Sequence, residues 1–294
     1  MARRSSLADS SCAIAQTLDV VGDWWTLLIV RDTARGIHRF EELRTGLGVS
    51  RKVLTERLAM LVEHGILGKR PYSEHPPRHD YVLTELGRGL LPVLVALQDF
   101  GDRHLLGDGT VTATTGPGSP EAARVRGLVG TRVPELSGLE PVAPTPWTVL
   151  YCYPATGLPG ASAIPGGVGC TLEACSFRDR LDEFTRLGAS VRGVSTQSAA
   201  EQTAFAEDNR IRFPLLSDAS LELAGALRLP TFRAAGSVRL KRLTLIVGAD
   251  RVVREVLYPI ADVTGGVEEA LAAVKRLSRQ GPSPGASRGL PGRR

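Results

Sequence analysis

Ile14, Leu18, Val21, Trp25 and Leu28 fall at steps of four, three, four and three, a single helical stripe near the start of the chain. Gly22 divides that stripe into two helices. A short helix is predicted over Arg39–Leu47, then a tight turn at Gly48-Val49 and a further helix that Ser50 caps and Gly65 ends after His64. In this last helix Leu54, Leu58, Leu61 and Val62 face inward, while Arg51, Lys52 and Thr55 stand on the opposite side of its first turn. The strand-like runs Leu67–Tyr72 and Tyr81–Thr84 make a hairpin through Ser73–Arg78. Thr84 then caps a helix carrying Leu86, Leu90, Leu94 and Leu97, which Pro92 should kink. Its apolar surface exceeds what so small a module can cover and predicts a dimer interface. Trp24 and Trp25 read as core.

The pattern changes after His104. Gly107 to about Pro120 (GDGTVTATTGPGSP) offers almost nothing to bury and reads as a flexible linker. From about Ala123, β-rich runs alternate with helical ones. Thr148–Tyr153 is a buried strand, and Gly169-Cys170 opens a helix reaching about Leu187. A strand at Val191–Ser195 and a helix from Ala199 to about Asn209 follow. Leu243–Val247 and Val252–Tyr258 form a hairpin, and a final helix starts near Val267. The expected organisation is two domains. Residues 1–106 form an α+β winged helix-turn-helix and 107–122 the linker; 123–280 form an α/β thioredoxin-like domain and 281–294 a disordered tail.

Charge sharpens the reading of the first domain only when taken locally. The net +5 of the 294 residues is uninformative there, because residues 1–110 hold fourteen Lys/Arg against fourteen Asp/Glu. Between Arg44 and Arg78, however, seven basic residues (Arg44, Arg51, Lys52, Arg57, Lys69, Arg70 and Arg78) face three acids, a net +4. Segregation of this kind is what a DNA-facing surface requires. A recognition helix presents donors from its first turn to base edges, here Arg51, Lys52 and Thr55 behind Ser50. Lys69, Arg70 and Arg78 put charge around a proline-stiffened wing. His75 and His79 lack a third ligand near in sequence, so neither a metal nor a cofactor is expected. Four cysteines in a chain this long make no disulfide scaffold. No apolar run is long enough to cross a bilayer, and no signal-peptide segment follows Met1-Ala2-Arg3-Arg4, so a cytoplasmic, nucleoid-associated protein without a membrane partner is expected.

The stretches Cys12-Ala13-Ile14-Ala15, GDWWTLLIVRD from Gly22 to Asp32, RFEELRTGLGVSRKVLTERLAMLVEHGIL from Arg39 to Leu67 and PPRHDYVLTELGRGLLPVL from Pro76 to Leu94 resemble the HxlR family of bacterial winged-helix regulators. The resemblance implies a homodimer on an inverted-repeat operator in double-stranded DNA, with Ser50–His64 in the major groove. Arg39, at the start of the third matching stretch, and Arg57 join the expected DNA-binding set. Some members sense oxidants through the cysteine matching Cys12; the alternative is a small buried side chain.

In the second domain the chemistry centres on Cys170 and Cys175. A thiol at a helix N-terminus meets unpaired amides and the positive end of the dipole, which favour an anion able to attack peroxide. Cys175 lies five positions on, about 7.5 Å of rise away at ~1.5 Å per residue, so a disulfide would have to unwind the first turns of the helix. GCTLEACSFRD resembles the active-site signature of two-cysteine peroxiredoxins of the bacterioferritin-comigratory (PrxQ-like) type, and Arg242-Leu243-Thr244 their second active-site element. That likeness implies a peroxidatic Cys170, a resolving Cys175 and an Arg242 that holds thiolate and peroxide, with a peroxide and a thiol reductant as partners. Gly167 stands where the family usually has Thr or Ser, and TGLPGASAIPGG replaces a compact loop. Cys152 reads as core. Three functions stay open: a thiol-redox-responsive regulator, a thiol peroxidase carrying a DNA-binding module, and a regulator with a catalytically silent second domain.

Overall fold

The computed structural model describes residues 11–280; the Met1–Arg4 segment and the tail from Gly281 lie outside the described residues. The chain divides into two compact units, one of residues 1–107 with 220–229, the other of 108–219 with 230–294.

The first unit opens with α1 (Ala13–Val21), α2 (Trp24–Ala34), α3 (Phe40–Leu47) and α4 (Arg51–Glu63). The antiparallel pair β1 (Leu67–Glu74) and β2 (Pro77–Leu83), then α5 (Glu85–Arg88) and α6 (Leu91–Phe100), follow. Its core joins Ile29 and Val30 of α2, Leu43 of α3, Leu54, Leu58 and Leu61 of α4, and Ile66-Leu67. Three helices start on side-chain caps: Asp23 accepts from Trp25 and Thr26 at α2, Ser50 from Val53 at α4, and Thr84 from Gly87 at α5. The N-terminal stripe is only partly inward. Val21 is buried, but Ile14 is 73% and Leu18 49% exposed. Trp24 is 62% exposed and stacks on Trp25 with ring centroids 4.0 Å apart, so it is not core. The hairpin strands run longer than expected, to a tip at His75-Pro76, with a bulge between Pro71 and Ser73. The expected kink at Pro92 is a break three residues earlier: α5 ends at Arg88, and α6 restarts with Pro92 in its first turn, where a missing N–H costs nothing.

The second unit begins with a segment that the sequence reads as linker and the structure holds in place. Ala113 is buried, and Ser119 caps α7 (Pro120–Arg126), whose Ala122 and Val125 are fully covered. Small residues and caps with no periodicity of their own are pinned here by tertiary partners. After it come β3 (Trp147–Cys152), α8 (Cys170–Asp179), α9 (Leu181–Arg186), β4 (Ala189–Ser195), α10 (Ala199–Asp208) and β5 (Leu215–Ser217). The next helix, α11 (Glu222–Leu227), lies in the segment grouped with the first unit. The hairpin β6 (Thr231–Ala234) and β7 (Ser237–Leu240) leads to β8 (Leu243–Gly248), β9 (Val253–Leu257) and α12 (Val263–Gln280). The helix expected to run from Cys170 to about Leu187 is two, α8 and α9, broken at Arg180.

A five-stranded mixed sheet runs in the order β5-β4-β3-β8-β9, with β3 parallel to β4 and antiparallel to β8. Every residue of β3 and β8 is buried, as central strands covered on both faces should be. On one face Tyr151, Tyr153, Phe177, Phe184 and Phe213 form an aromatic core, the Tyr151 and Phe177 rings stacked at 4.5 Å, which seats α8 against β3. The second unit has the thioredoxin-like α/β fold expected of it. Among the described residues no single helix is long and apolar enough to cross a membrane.

Candidate nucleic-acid face and thiol pocket

On α4 the first turn is open. Arg51, Lys52 and Thr55 are exposed, while Leu54 and Leu58 hold the other side in the core. Ser50 spends its hydroxyl on the helix cap, and the Thr55 hydroxyl donates to the Arg51 carbonyl at 2.8 Å. Arg51 pairs with Glu41 and lies over the Phe40 ring at 5.2 Å, contacts that orient its guanidinium. On the hairpin, Lys69 and Arg78 are exposed, and Arg70 and Arg39 both reach Asp80, at 3.3 and 3.8 Å. Arg39 also lies over the Tyr72 ring at 4.9 Å. Arg57 departs from the expected set: it is half-buried and pairs with Asp23 at 3.1 Å, bracing α4 against the start of α2. Asp23 therefore caps one helix and anchors another, a role its lone position in the sequence did not signal. Cys12 is a free, partly covered thiol at the N-terminus of α1.

In the second unit Cys170 is the first residue of α8 and is buried. Gly169 before it sits at φ +102°, left-handed territory in which a side chain would be strained, and a Cβ there would meet Val263 at 3.1 Å. Arg242, at the start of β8, closes the pocket. Its Nη2 donates to Cys170 Sγ at 3.4 Å and to the Val168 carbonyl at 3.0 Å, and its Nη1 to the Glu173 carboxylate. Glu173 is 1% exposed, and burial pushes its carboxyl up to about 7, outweighing the nearby Arg242 charge that pulls it down. One turn beyond Cys170 on the same helix face, an acid at this spacing was the available clue to a third member of the pocket. Cys175, partly covered, lies further along α8. Burial drives the Cys152 thiol far above its ordinary range, so it stays protonated and inert in β3.

Comparisons with known proteins match two separate stretches of the chain. Residues 20–108 match the HxlR-like helix-turn-helix model, and residues 143–256 the AhpC/TSA family. An HTH-type transcriptional regulator of Synechocystis is 40% identical over 95 residues, 32% of this chain and 70% of that protein. A Mycobacterium tuberculosis protein assigned as a peroxiredoxin is 34% identical over 129 residues, 44% of this chain and 78% of that one. The chain belongs to both families. An uncharacterised HTH-type regulator of M. tuberculosis is 45% identical over 93 residues, and there the match spans 32% of this chain and 59% of the relative. Among solved structures, the peroxidoxin BcpB of M. tuberculosis aligns at 34% identity and TM-score 0.39, over 45% of this chain and 79% of that one.

Within the peroxiredoxin-like unit one departure has a steric origin. A Cβ at Gly167 would lie 2.6 Å from the Ala161 carbonyl oxygen and 3.0 Å from that of Ile164, to which the Gly167 N–H already donates at 2.8 Å. The Gly/Pro-rich insertion occupies the space that a Thr or Ser side chain would need. No group of three or more His, Cys, Asp or Glu among the described residues is placed to hold a metal ion.

Proposed function

We propose that this HxlR-type protein is a transcription regulator whose first unit binds duplex DNA and whose second unit reads peroxide through Cys170. The observation that carries the reading is the buried Cys170 sulfur at the first turn of α8, 3.4 Å from the Arg242 guanidinium. The Cys170 sulfur attacks one peroxide oxygen; the O–O bond breaks, the sulfur keeps that oxygen as a sulfenic acid, and the other oxygen leaves as an alcohol or water carrying the proton the thiol gave up. The Cys175 thiol then displaces its hydroxyl, forming an S–S bond and releasing water. Disulfides tolerate Cα separations of up to ~6.8 Å, less than the ~7.5 Å of helical rise between these residues, so the first turns of α8 unwind as the bond closes.

For DNA, Arg51, Lys52 and Thr55 of α4 meet base edges in the major groove, and Arg39, Lys69, Arg70 and Arg78 meet phosphates beside it. Exposed Leu86, Val93, Leu97 and Phe100 support a homodimer on an inverted repeat, and a role on DNA is what supports the reading of a cytoplasmic, nucleoid-associated protein. Duplex binding by the full chain, measured reduced and after peroxide, tests the reading. The affinity should change in the wild type and not in Cys170→Ser; an equal response in both proteins refutes it.

The second reading is a working thiol peroxidase carrying a DNA-binding module, favoured by the complete Cys170–Arg242–Glu173 pocket. The absent hydroxyl at Gly167 weighs against rapid turnover. Consumption of peroxide with a thiol reductant, lost in Cys170→Ser, would favour it over the regulator.

A further inference from the structure

The thiol pocket is bridged from outside by the segment that joins the two units along the chain. On one side of the pocket is the loop leading into Cys170. There Ala113 N–H and Thr112 Oγ1 both donate to the Pro165 carbonyl, at 2.9 and 3.3 Å. Gly166 lies so close that a Cβ would sit 3.0 Å from Thr114 Cβ. On the other side is Lys241, the neighbour of Arg242. Its ammonium, buried at 6% exposure, donates to both Glu121 carboxylate oxygens, at 3.1 and 2.9 Å, and to the Thr114 carbonyl at 3.3 Å. The Tyr258 hydroxyl donates to the same carboxylate. Ala113 and Val111 complete a small separate core with Leu158, Ala161 and Ile164 of the Gly/Pro-rich insertion and Phe232 of β6. The insertion and the supposed linker are each other's packing partners.

We infer that residues 111–121 are a strap, clamped across the pocket while Cys170 is reduced and released when the Cys170–Cys175 disulfide forms. The inference rests on the peroxide-sensing reading above. Its logic is mechanical. Unwinding the first turns of α8 separates Arg242 from Cys170 and Glu173 and frees the Val168 carbonyl held by the same guanidinium. The Pro165–Gly169 loop and the Lys241–Arg242 turn then lose their common anchor, and these are two of the places where the strap is fastened. The strap begins four residues after Gly107, the last residue of the first unit's long segment, so its release frees the stretch of chain that leads directly out of the DNA-binding unit.

Hydrogen exchange with mass readout on the full chain, reduced and after stoichiometric hydrogen peroxide, tests this, with the disulfide assigned by peptide mapping in the same samples. Peptides spanning 110–126 should exchange at least about tenfold faster in the disulfide form and unchanged in peroxide-treated Cys170→Ser. Reduced Glu121→Gln and, through packing rather than charge, reduced Gly166→Ala should exchange fast in the same peptides without peroxide. Both should bind a duplex selected by the reduced wild type as the oxidised wild type does. If the disulfide forms and the strap stays protected, the strap inference is wrong while peroxide sensing stands. If the strap is loosened in both variants and binding does not follow, transmission through it is wrong. If peroxide produces no disulfide, the sensing reading falls and the strap falls with it.

Discussion

Replacing Glu173 by Gln decides which of two opposed effects governs the thiol pocket. Burial pushes the Glu173 carboxyl up to about 7 from an ordinary 4.5, although Arg242 alone would pull it down. Below pH 4.5 the carboxyl is protonated in both folded and unfolded chains. Between 4.5 and 7 the folded state holds a proton that the unfolded state has lost, so stability falls as pH rises. At about 1.4 kcal/mol per pH unit the fold loses about 3 kcal/mol across that window and nothing further above it. Glu173→Gln keeps the shape and an acceptor for Arg242 but cannot titrate, so its stability should lack this component. The assay is hydrogen exchange of the slowest amides of β3 and β8, which report global opening of the second unit, on the reduced full chain at intervals from pH 4.5 to 7.5. The wild-type minus variant difference should decline by about 3 kcal/mol. A difference that rises with pH would mean that the ion pair outweighs burial, and a flat one that Glu173 does not titrate with folding; either refutes the argument.

Lys69→Ala and Arg78→Ala should each weaken duplex binding and, for each phosphate no longer neutralised, reduce the slope of log affinity against log salt by about 0.9, read by fluorescence anisotropy over a salt series. Arg242→Met should slow sulfenic acid formation at Cys170 at least about tenfold in a competition assay with a dimedone-type trap, because it removes the guanidinium that donates to that sulfur at 3.4 Å. Phe177→Ala, emptying the site stacked on Tyr151, should destabilise the second unit by about 3–5 kcal/mol in urea unfolding. Gly167→Ser should not raise peroxide reactivity and should loosen the 161–167 loop in hydrogen exchange, since its Cβ has no room beside Ala161.

The helical part of the first unit was legible because each signal was local. Ser50 caps α4 as its position suggested, and the leucines at helical spacing behind it are the core. Periodicity fixes faces, though, not what covers them. Ile14 and Leu18 belong to a helical stripe and still stand in solvent, and Trp24 stacks on its neighbour instead of entering the core. Arg57 reads as one more cation of a basic window, yet Asp23, thirty-four positions away, claims it. In the second unit the cysteine signature and Arg242 could be paired from the sequence. The spacing of Glu173 from Cys170 hints at a shared helix face, but its partnership with Arg242 could not be read, since it depends on where β8 begins relative to α8.

Three features that look separate along the sequence are one feature in space. The Gly/Thr/Ser/Pro stretch after Gly107 looks unstructured, TGLPGASAIPGG looks like a dispensable insertion, and Gly167 looks like a lost catalytic hydroxyl. In the fold, Val111 and Ala113 fill the cluster that Leu158, Ala161 and Ile164 provide, and the backbone of that insertion is what excludes a side chain at 167. A residue capable of supplying the hydroxyl is therefore incompatible with the loop that receives the strap. Restoring Thr at 167 would require removing the insertion, and removing the insertion would leave the strap without its apolar partner. Under the proposed peroxide-sensing function, a site arranged this way would give up a hydrogen bond useful for repeated turnover and keep what a single oxidation and a single change of shape require, a division of labour expected of a sensor rather than a scavenger.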